Sequence, residues 1–180
     1  METYEINTAY FQHCLQAVSK EESRYYISGV YIHDENGIRH YVGTNGHVLV
    51  HCFEPTEDKP IEKGLIIKPL SALKKNKTLS TSLLRIIDDR SAIIDSFNAS
   101  VCCEIIDGQY PNYNTVIPTN AEQQTKYVCF DPDYLKIVRS VLGKFPWPYA
   151  ENTVSPHLFR DECFGKENSG VEVVLMPIRI

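Results

Sequence analysis

His47, which follows Gly46, has the residue type for a general base, and a carboxylate such as Asp107 could orient it in a hydrolase. No serine or cysteine is arranged around it as a nucleophile, and His13, His33, His40, His51 and His157 have no better company. Asp88-Asp89 sits in turn-forming sequence, where paired carboxylates more often solvate a loop than bind a metal. The cysteines at 14, 52, 102, 103, 129 and 163 form no CxxC pair, and four lie in apolar strand-like runs, which makes them buried small hydrophobes. His51-Cys52 comes nearest to a metal pair, but adjacent strand residues point to opposite faces. Glycines are spread singly through turns, with no phosphate-cradling loop or dinucleotide fingerprint. The expectation is no cofactor, no metal and no catalytic residue.

An apolar constellation remains, and it suits binding. Its parts are Thr44-Asn45-Gly46-His47-Val48-Leu49, the strap Pro111 to Pro118, and the terminal Val174-Leu175-Met176-Pro177-Ile178-Arg179-Ile180. Gly46 in a tight turn leaves backbone open to a ligand. Tyr110, Tyr113, Val116 and Ile117 on an extended strap can line a surface against which another element or molecule packs. Met176 offers a polarizable, adaptable contact, and a terminal strand holding Pro177 is expected at a sheet edge, its main chain free to pair with an extended peptide.

The elements that must position these residues read as one imperfectly repeated pattern, a short strand leading into a helix followed by long strands. The first unit has a strand at Tyr4 to Ile6, a cap at Asn7 or Thr8, and a helix from Ala9 to Val18 with Phe11, Leu15 and Val18 on one face. Strands follow at Tyr25 to His33, Ile38 to Val42 and Val48 to Phe53, the first two joined by the turn Asp34-Glu35-Asn36-Gly37. The second unit has a strand at Leu65 to Ile67, a helix opening at Pro69 and reaching Lys77, and strands at Leu83 to Ile87, Ala92 to Phe97 and Ser100 to Ile106. Residues 119–125 read as a polar linker. A third unit has a strand at Tyr127 to Phe130 and a helix capped by Asp131 with Pro132 in its first turn. Its stripe is Tyr134, Leu135, Val138, Val141 and Leu142, and it stops at Gly143. The prolines of Phe145 to Tyr149 exclude a central strand, Asp161 to Gly170 reads as a loop, and Val171 to Ile180 as the last strand.

At 180 residues, with 43% hydrophobic and 23% charged content, the chain can bury a substantial core and has no apolar run of bilayer-spanning length. The acidic start Met1-Glu2-Thr3-Tyr4-Glu5 lacks an export signal's basic and apolar regions, so a cytosolic location and reduced thiols are expected. A net charge of −5 argues against coating nucleic acid with the whole surface, but Lys68, Lys74, Lys75 and Lys77 form a local basic stripe beside the expected second helix.

These segments resemble the bacterial beta sliding clamp, the processivity subunit of the replicative DNA polymerase. Arg24-Tyr25-Tyr26-Ile27-Ser28-Gly29-Val30 looks like the first strand of the clamp's middle domain, and Thr44 to Leu49 looks like its Thr-Asp-Gly-His-Arg-Leu turn. Ile106 to Pro118 is similar to the segment ending that domain, and Val174 to Ile180 resembles the clamp's Val-Val-Met-Pro-Met-Arg-Leu terminus. The resemblance implies an α+β, DNA-clamp-like fold with antiparallel sheets and three strand-helix-strand half-units. Residues 1–118 would be a clamp-like domain matching the middle domain, 119–125 a linker, and 126–180 the second half of the last domain, with no counterpart of the first.

The implied function is non-catalytic: encircling duplex DNA and tethering polymerases and repair factors by a linear motif held in a pocket. Carried over by position, Ile27, Thr44, Gly46, His47, Val48, Leu49, Pro111, Val116, Val174, Leu175, Met176, Pro177 and Ile178 would line that pocket, with Asp131 and Tyr134 bordering it and Arg179 and Ile180 at its rim. Val48 replaces a basic residue, which weakens attraction to acidic motifs. Lys68, Lys74, Lys75, Lys77, Lys136, Arg139 and Lys144 would face DNA weakly and without sequence preference. The resemblance admits a clamp loader as a further partner and no membrane. By counting half-units, four copies would close a ring; the other arrangement is a free peptide-binding adaptor or decoy carried by a mobile element.

Overall fold

Alternating apolar residues build the sheet, and turn residues set where it folds back. The computed structural model describes residues 2–73, 81–96, 99–119, 122–123, 128–161 and 169–178. The strands are β1 (Thr3–Asn7), β2 (Val30–Glu35), β3 (Ile38–Thr44), β4 (Val48–Pro55), β5 (Leu65–Pro69), β6 (Thr81–Ile86), β7 (Ser91–Ser96), β8 (Ala99–Ile105), β9 (Glu122–Gln123), β10 (Tyr149–Ala150), β11 (His157–Arg160) and β12 (Gly170–Leu175). Helices α1 (Thr8–Leu15) and α2 (Pro132–Leu142) join two 3-10 turns, Glu22–Ile27 and Tyr113–Val116. The strands form one antiparallel sheet in the order β1-β6-β7-β8-β5-β2-β3-β4-β12-β11-β10-β9, an α+β architecture.

The two-residue side-chain period divides the sheet into two faces. Tyr41, Val50, Cys52, Val173 and Leu175 join Phe11 and Cys14 of α1 and Val138 and Val141 of α2 in the larger core. The same core includes Tyr4 and Ile6 from β1 and Leu84 from β6, so the sheet curls around α1. Intervening residues Val42, Leu49, Leu158 and Val174 face the other way and pack with Ile27, Tyr110 and Tyr113. Because both faces are covered, Val48 through Cys52 are all buried, as are Gly170 through Leu175.

Local chemistry places the turns and caps. Asn36 (φ 53°) and Gly37 (φ 77°) make a two-residue β2–β3 hairpin turn with both central φ positive. The Asn7 side chain caps α1 by accepting from the Ala9 and Tyr10 amides at 3.1 and 3.2 Å. Asp131 caps α2 through the Asp133 amide at 2.8 Å, and Gly143 (φ 73°) ends it in a left-handed turn.

Several expectations are corrected. Tyr25 to Ile27 is a 3-10 turn, with the Ser28 amide and hydroxyl both donating to the Tyr25 carbonyl, and β2 starts only at Val30. Pro69 ends β5 opposite Cys103 and opens no helix; Leu70 to Leu73 are non-helical, and the remainder of the expected helix lies outside the described residues. Lys68 is therefore a strand residue. Val128 to Phe130 is no strand, since its neighbour Pro177 lacks an N–H and only Ile178 donates, to the Cys129 carbonyl at 2.8 Å. Tyr127 lies outside the described residues, as do 162–168 of the loop expected over Asp161 to Gly170, and Gly170 already starts β12. Within the expected linker, Glu122–Gln123 pairs with β10. The last strand is central, between β4 and β11, and stops at Leu175 ahead of Pro177, so its main chain is already paired. Cys14, Cys52 and Cys103 are buried hydrophobes as expected, whereas Cys102 and Cys129 are exposed; on β8, Cys102 falls on the outward-facing alternate positions.

Helix α1 reaches the sheet at Gly43, where an added Cβ would overlap the Cys14 carbonyl, backbone against backbone. Gly43→Ala is therefore expected to destabilise the fold by about 3 kcal/mol or more, at the upper end of overpacking effects, read as a fall in the urea midpoint. An unchanged midpoint would show that α1 does not dock this closely.

Candidate peptide-binding groove

On the strap face, residues far apart in sequence enclose a groove of about 390 Å³. The Thr44–Leu49 segment forms its floor through side chain–backbone bonds. Thr44 Oγ1 donates to the Val48 carbonyl at 2.8 Å, and Asn45 Oδ1 accepts from the His47 and Val48 amides at 2.9 and 3.1 Å. Gly46 (φ 92°) supplies the left-handed residue. The Met176 amide donates to the His47 carbonyl at 3.0 Å, tying β12's end to this turn, while the His47 ring stacks on Tyr134 of α2 at 5.9 Å.

The strap supplies the other wall. Tyr110 is buried and stacks on Tyr31 with ring centroids 4.7 Å apart and planes 7° from parallel. The extended course expected for the strap is interrupted by the 3-10 turn Tyr113–Val116, started by Asn112, whose Oδ1 accepts from the Asn114 amide at 3.2 Å. Tyr113 is turned inward and buried, leaving Val116 exposed at the groove.

Ile27, Thr44, Gly46, His47, Val48, Leu49, Pro111, Val116, Val174 and Met176 all line this groove. Leu175 does not: it alternates to the opposite face and is fully buried in the helix-side core. Asp131 is occupied as the α2 cap, Tyr134 touches the groove's His47, and Pro177 and Ile178 lie past β12. Arg179 and Ile180 are outside the described residues. Sequence reasoning missed Arg24 and Tyr26 as lining residues, while Asn112 and Tyr113 lie on the strap it had placed in the binding constellation. Arg24 Nη1 donates to the Asn45 carbonyl at 3.1 Å, a contact across 21 residues that no local spacing reveals.

His47 thus lies in a mainly apolar groove, while Asp107 lines a different cavity with Asp88, Asp89 and Arg90, so the two are not a base and its orienting carboxylate. Among the described residues no cluster of His, Cys, Asp or Glu could hold a metal. No described helix is long and apolar enough to cross a membrane. Of the expected DNA-facing cations, Lys68 sits 3.8 Å from Glu104 and Lys136 pairs with Asp133 at 2.7 Å. Arg139 and Lys144 are exposed, and Lys74, Lys75 and Lys77 lie outside the described residues.

Beside the groove runs a row of stacked rings that no sequence motif announced. His33 stacks on His40 at 4.8 Å, and His40 on His51 at 5.2 Å, with planes 8° and 10° from parallel. His33 Nε2 shares a hydrogen bond with the Tyr113 hydroxyl at 2.9 Å, and His40 Nδ1 lies 2.9 Å from His51 Nε2. His51 Nδ1 donates to Glu172 Oε1 at 2.8 Å, and Arg160 Nε donates to Glu172 Oε2 at 3.4 Å. Burial, and then the nearby His51 and His33, push the His40 imidazole down to about 3; burial also lowers His33 against the opposing pull of Glu35. Two charges 5 Å apart would repel by about 3 kcal/mol at an effective dielectric near 20, so stacked rings this close favour the neutral form.

No protein-family model matches the chain. Over 117 residues, 63% of its length, it is 28% identical to the beta sliding clamp of Chlamydia trachomatis; over 110 residues it is 29% identical to that of Caulobacter vibrioides. These matches span 28% and 30% of the relatives' own lengths. Among solved structures, the sliding clamp of Bartonella birtlesii bound to griselimycin superposes with a TM-score of 0.71 at 18% identity, covering 99% of this chain and 66% of that one. The chain is a sequence relative, over part of its length, of the bacterial beta sliding clamps, and it has the fold of these DNA polymerase III beta subunits.

Proposed function

We propose that this chain is a non-catalytic, clamp-like replication module whose groove holds the linear clamp-binding motif of a polymerase or repair protein. One observation carries the reading: the Thr44–Leu49 turn, the strap and the end of β12 converge on a single apolar groove with Val116 and Met176 exposed at its edge. Apolar walls with a few fixed polar groups suit a short segment bearing two or three bulky side chains. On this reading residues 1–118 are the counterpart of the clamp's middle domain and 126–180 of half its last domain. With Val48 in place of a basic residue, Arg24 is the cation lining the groove.

Griselimycin, the ligand of the Bartonella structure, is a direct probe. In calorimetric titration the wild type is expected to bind it and Met176→Ala to bind about tenfold more weakly, a loss of about 1.4 kcal/mol. Met176 is 38% exposed, so its truncation spares the core. A wild type that does not bind would overturn the groove assignment.

A ring around duplex DNA is a second reading, favoured by the sheet's two ends at β1 and β9, each paired on one side only among the described residues. Four copies of this 20.6 kDa chain would supply twelve half-units. Light scattering is expected to show that tetramer. DNA binding, through Arg139 and Lys144, would be weak and lost steeply as salt rises. A mass of one chain at working concentration removes the ring and leaves the adaptor.

A further inference from the structure

We propose that the His33–His40–His51 row is a proton-sensitive latch that holds the strap, and with it the Tyr113 wall of the groove, against the sheet. The rings come from three adjacent strands, and the row ends on the strap at one side and on Glu172 and Arg160 at the other. Tyr113 is bound twice: its hydroxyl to His33, and its ring against His51 at 5.2 Å.

The proton count makes the row a latch. A carboxylate only accepts, so His51 Nδ1 carries hydrogen toward Glu172. Between His40 Nδ1 and His51 Nε2, at 2.9 Å, there is room for one proton. Charging both rings would set N–H against N–H and break the contact, and charging His33 would add a cation one stacking distance from His40. The other groups facing the row are Tyr31 and Glu35 on β2 and Phe53 on β4, while Asp34 points to the opposite face, paired with Arg39, and acts on His33 only through its charge. The two acids oppose the effect at His33, and the burial that lowers His33 and His40 outweighs them.

An opened row exposes His33 and His40 to water, where an imidazole takes up a proton near pH 6.5. Opening therefore binds protons that the closed row rejects, and it is favoured as pH falls below about 6.5. The opening equilibrium should rise about tenfold per pH unit for each histidine that charges, down to that histidine's closed-state pKa. The strap is held closed at neutral pH and released in mild acid. This concerns the strap and not its ligand, so it stands or falls independently of the groove's occupant.

Hydrogen exchange of the Tyr113–Val116 amides, corrected for the intrinsic pH dependence of exchange and referenced to the β4 amides, measures that opening. In wild type, strap protection is expected to fall at least tenfold between pH 6.5 and 5.5 while β4 stays protected. Phe at position 40 keeps a stacked ring without titrating, and Gln at 33 keeps a hydrogen-bonding partner for Tyr113. His40→Phe and His33→Gln should therefore each reduce the pH slope while leaving protection at pH 7.5 in place. A wild-type strap whose protection does not change with pH would overturn the proposal without reference to the variants. So would an unaltered slope in either folded variant.

Discussion

The pairing of β4 with β12, six cross-strand pairs from Phe53↔Gly170 to Val48↔Leu175, is the joint on which everything else depends. It welds the chain's last strand, with β11 and α2 behind it, to a sheet begun more than a hundred residues earlier. The strand is apolar because it is covered on both faces. Val171, Val173, Val174 and Leu175 each gain about 1.5–3 kcal/mol of gross burial, together comparable with the net stability of a whole domain, about 5–15 kcal/mol. Detaching β12 would open the core on the helix side and remove the groove's Val174 and Met176 on the other.

The same joint brings the polar row together. His51↔Glu172 is one of its register pairs, and Arg160↔Glu172 is the next pair outward, so the carboxylate that orients His51 comes from the far segment. A one-residue slip would exchange the faces of β12, turning Val174 inward and Leu175 into the groove. Buried polar groups at this seam specify the register, since Glu172, 3% exposed, finds its partners in one alignment. The groove and the row lie side by side on one face because Leu49 and Val174 of the groove, like the row's histidines, alternate away from the helices. Tyr113 belongs to both.

Local elements were readable where chemistry is local. Asn7 and Asp131 as caps, Gly143 as a stop and Asn36-Gly37 as a hairpin turn follow from dihedral preference and side-chain reach over a few residues. Reading failed where a long-range partner overrode the pattern. Tyr25 to Ile27 has strand-forming residues, yet it coils because Ser28 closes a turn and Gly29 meets the Ile67 backbone too closely for a side chain. Pro69 looked like a helix start, but β8 was waiting to pair with it. Pro177 suggested an edge strand, and the strand simply ended two residues sooner.

By itself the sequence determined an α+β chain with apolar strands, two capped helices and three apolar segments suited to binding, because side-chain period and turn chemistry act over short distances. Ten of the groove's lining residues were named from it through the resemblance to the clamp family, carried over position by position. Only the tertiary structure decided that Arg24 and Tyr26 line the groove, that Leu175 faces away from it, and that three histidines form one row. Those facts depend on strand register and on which face each residue occupies, and register is settled by pairing between residues as far apart in sequence as Val48 and Leu175.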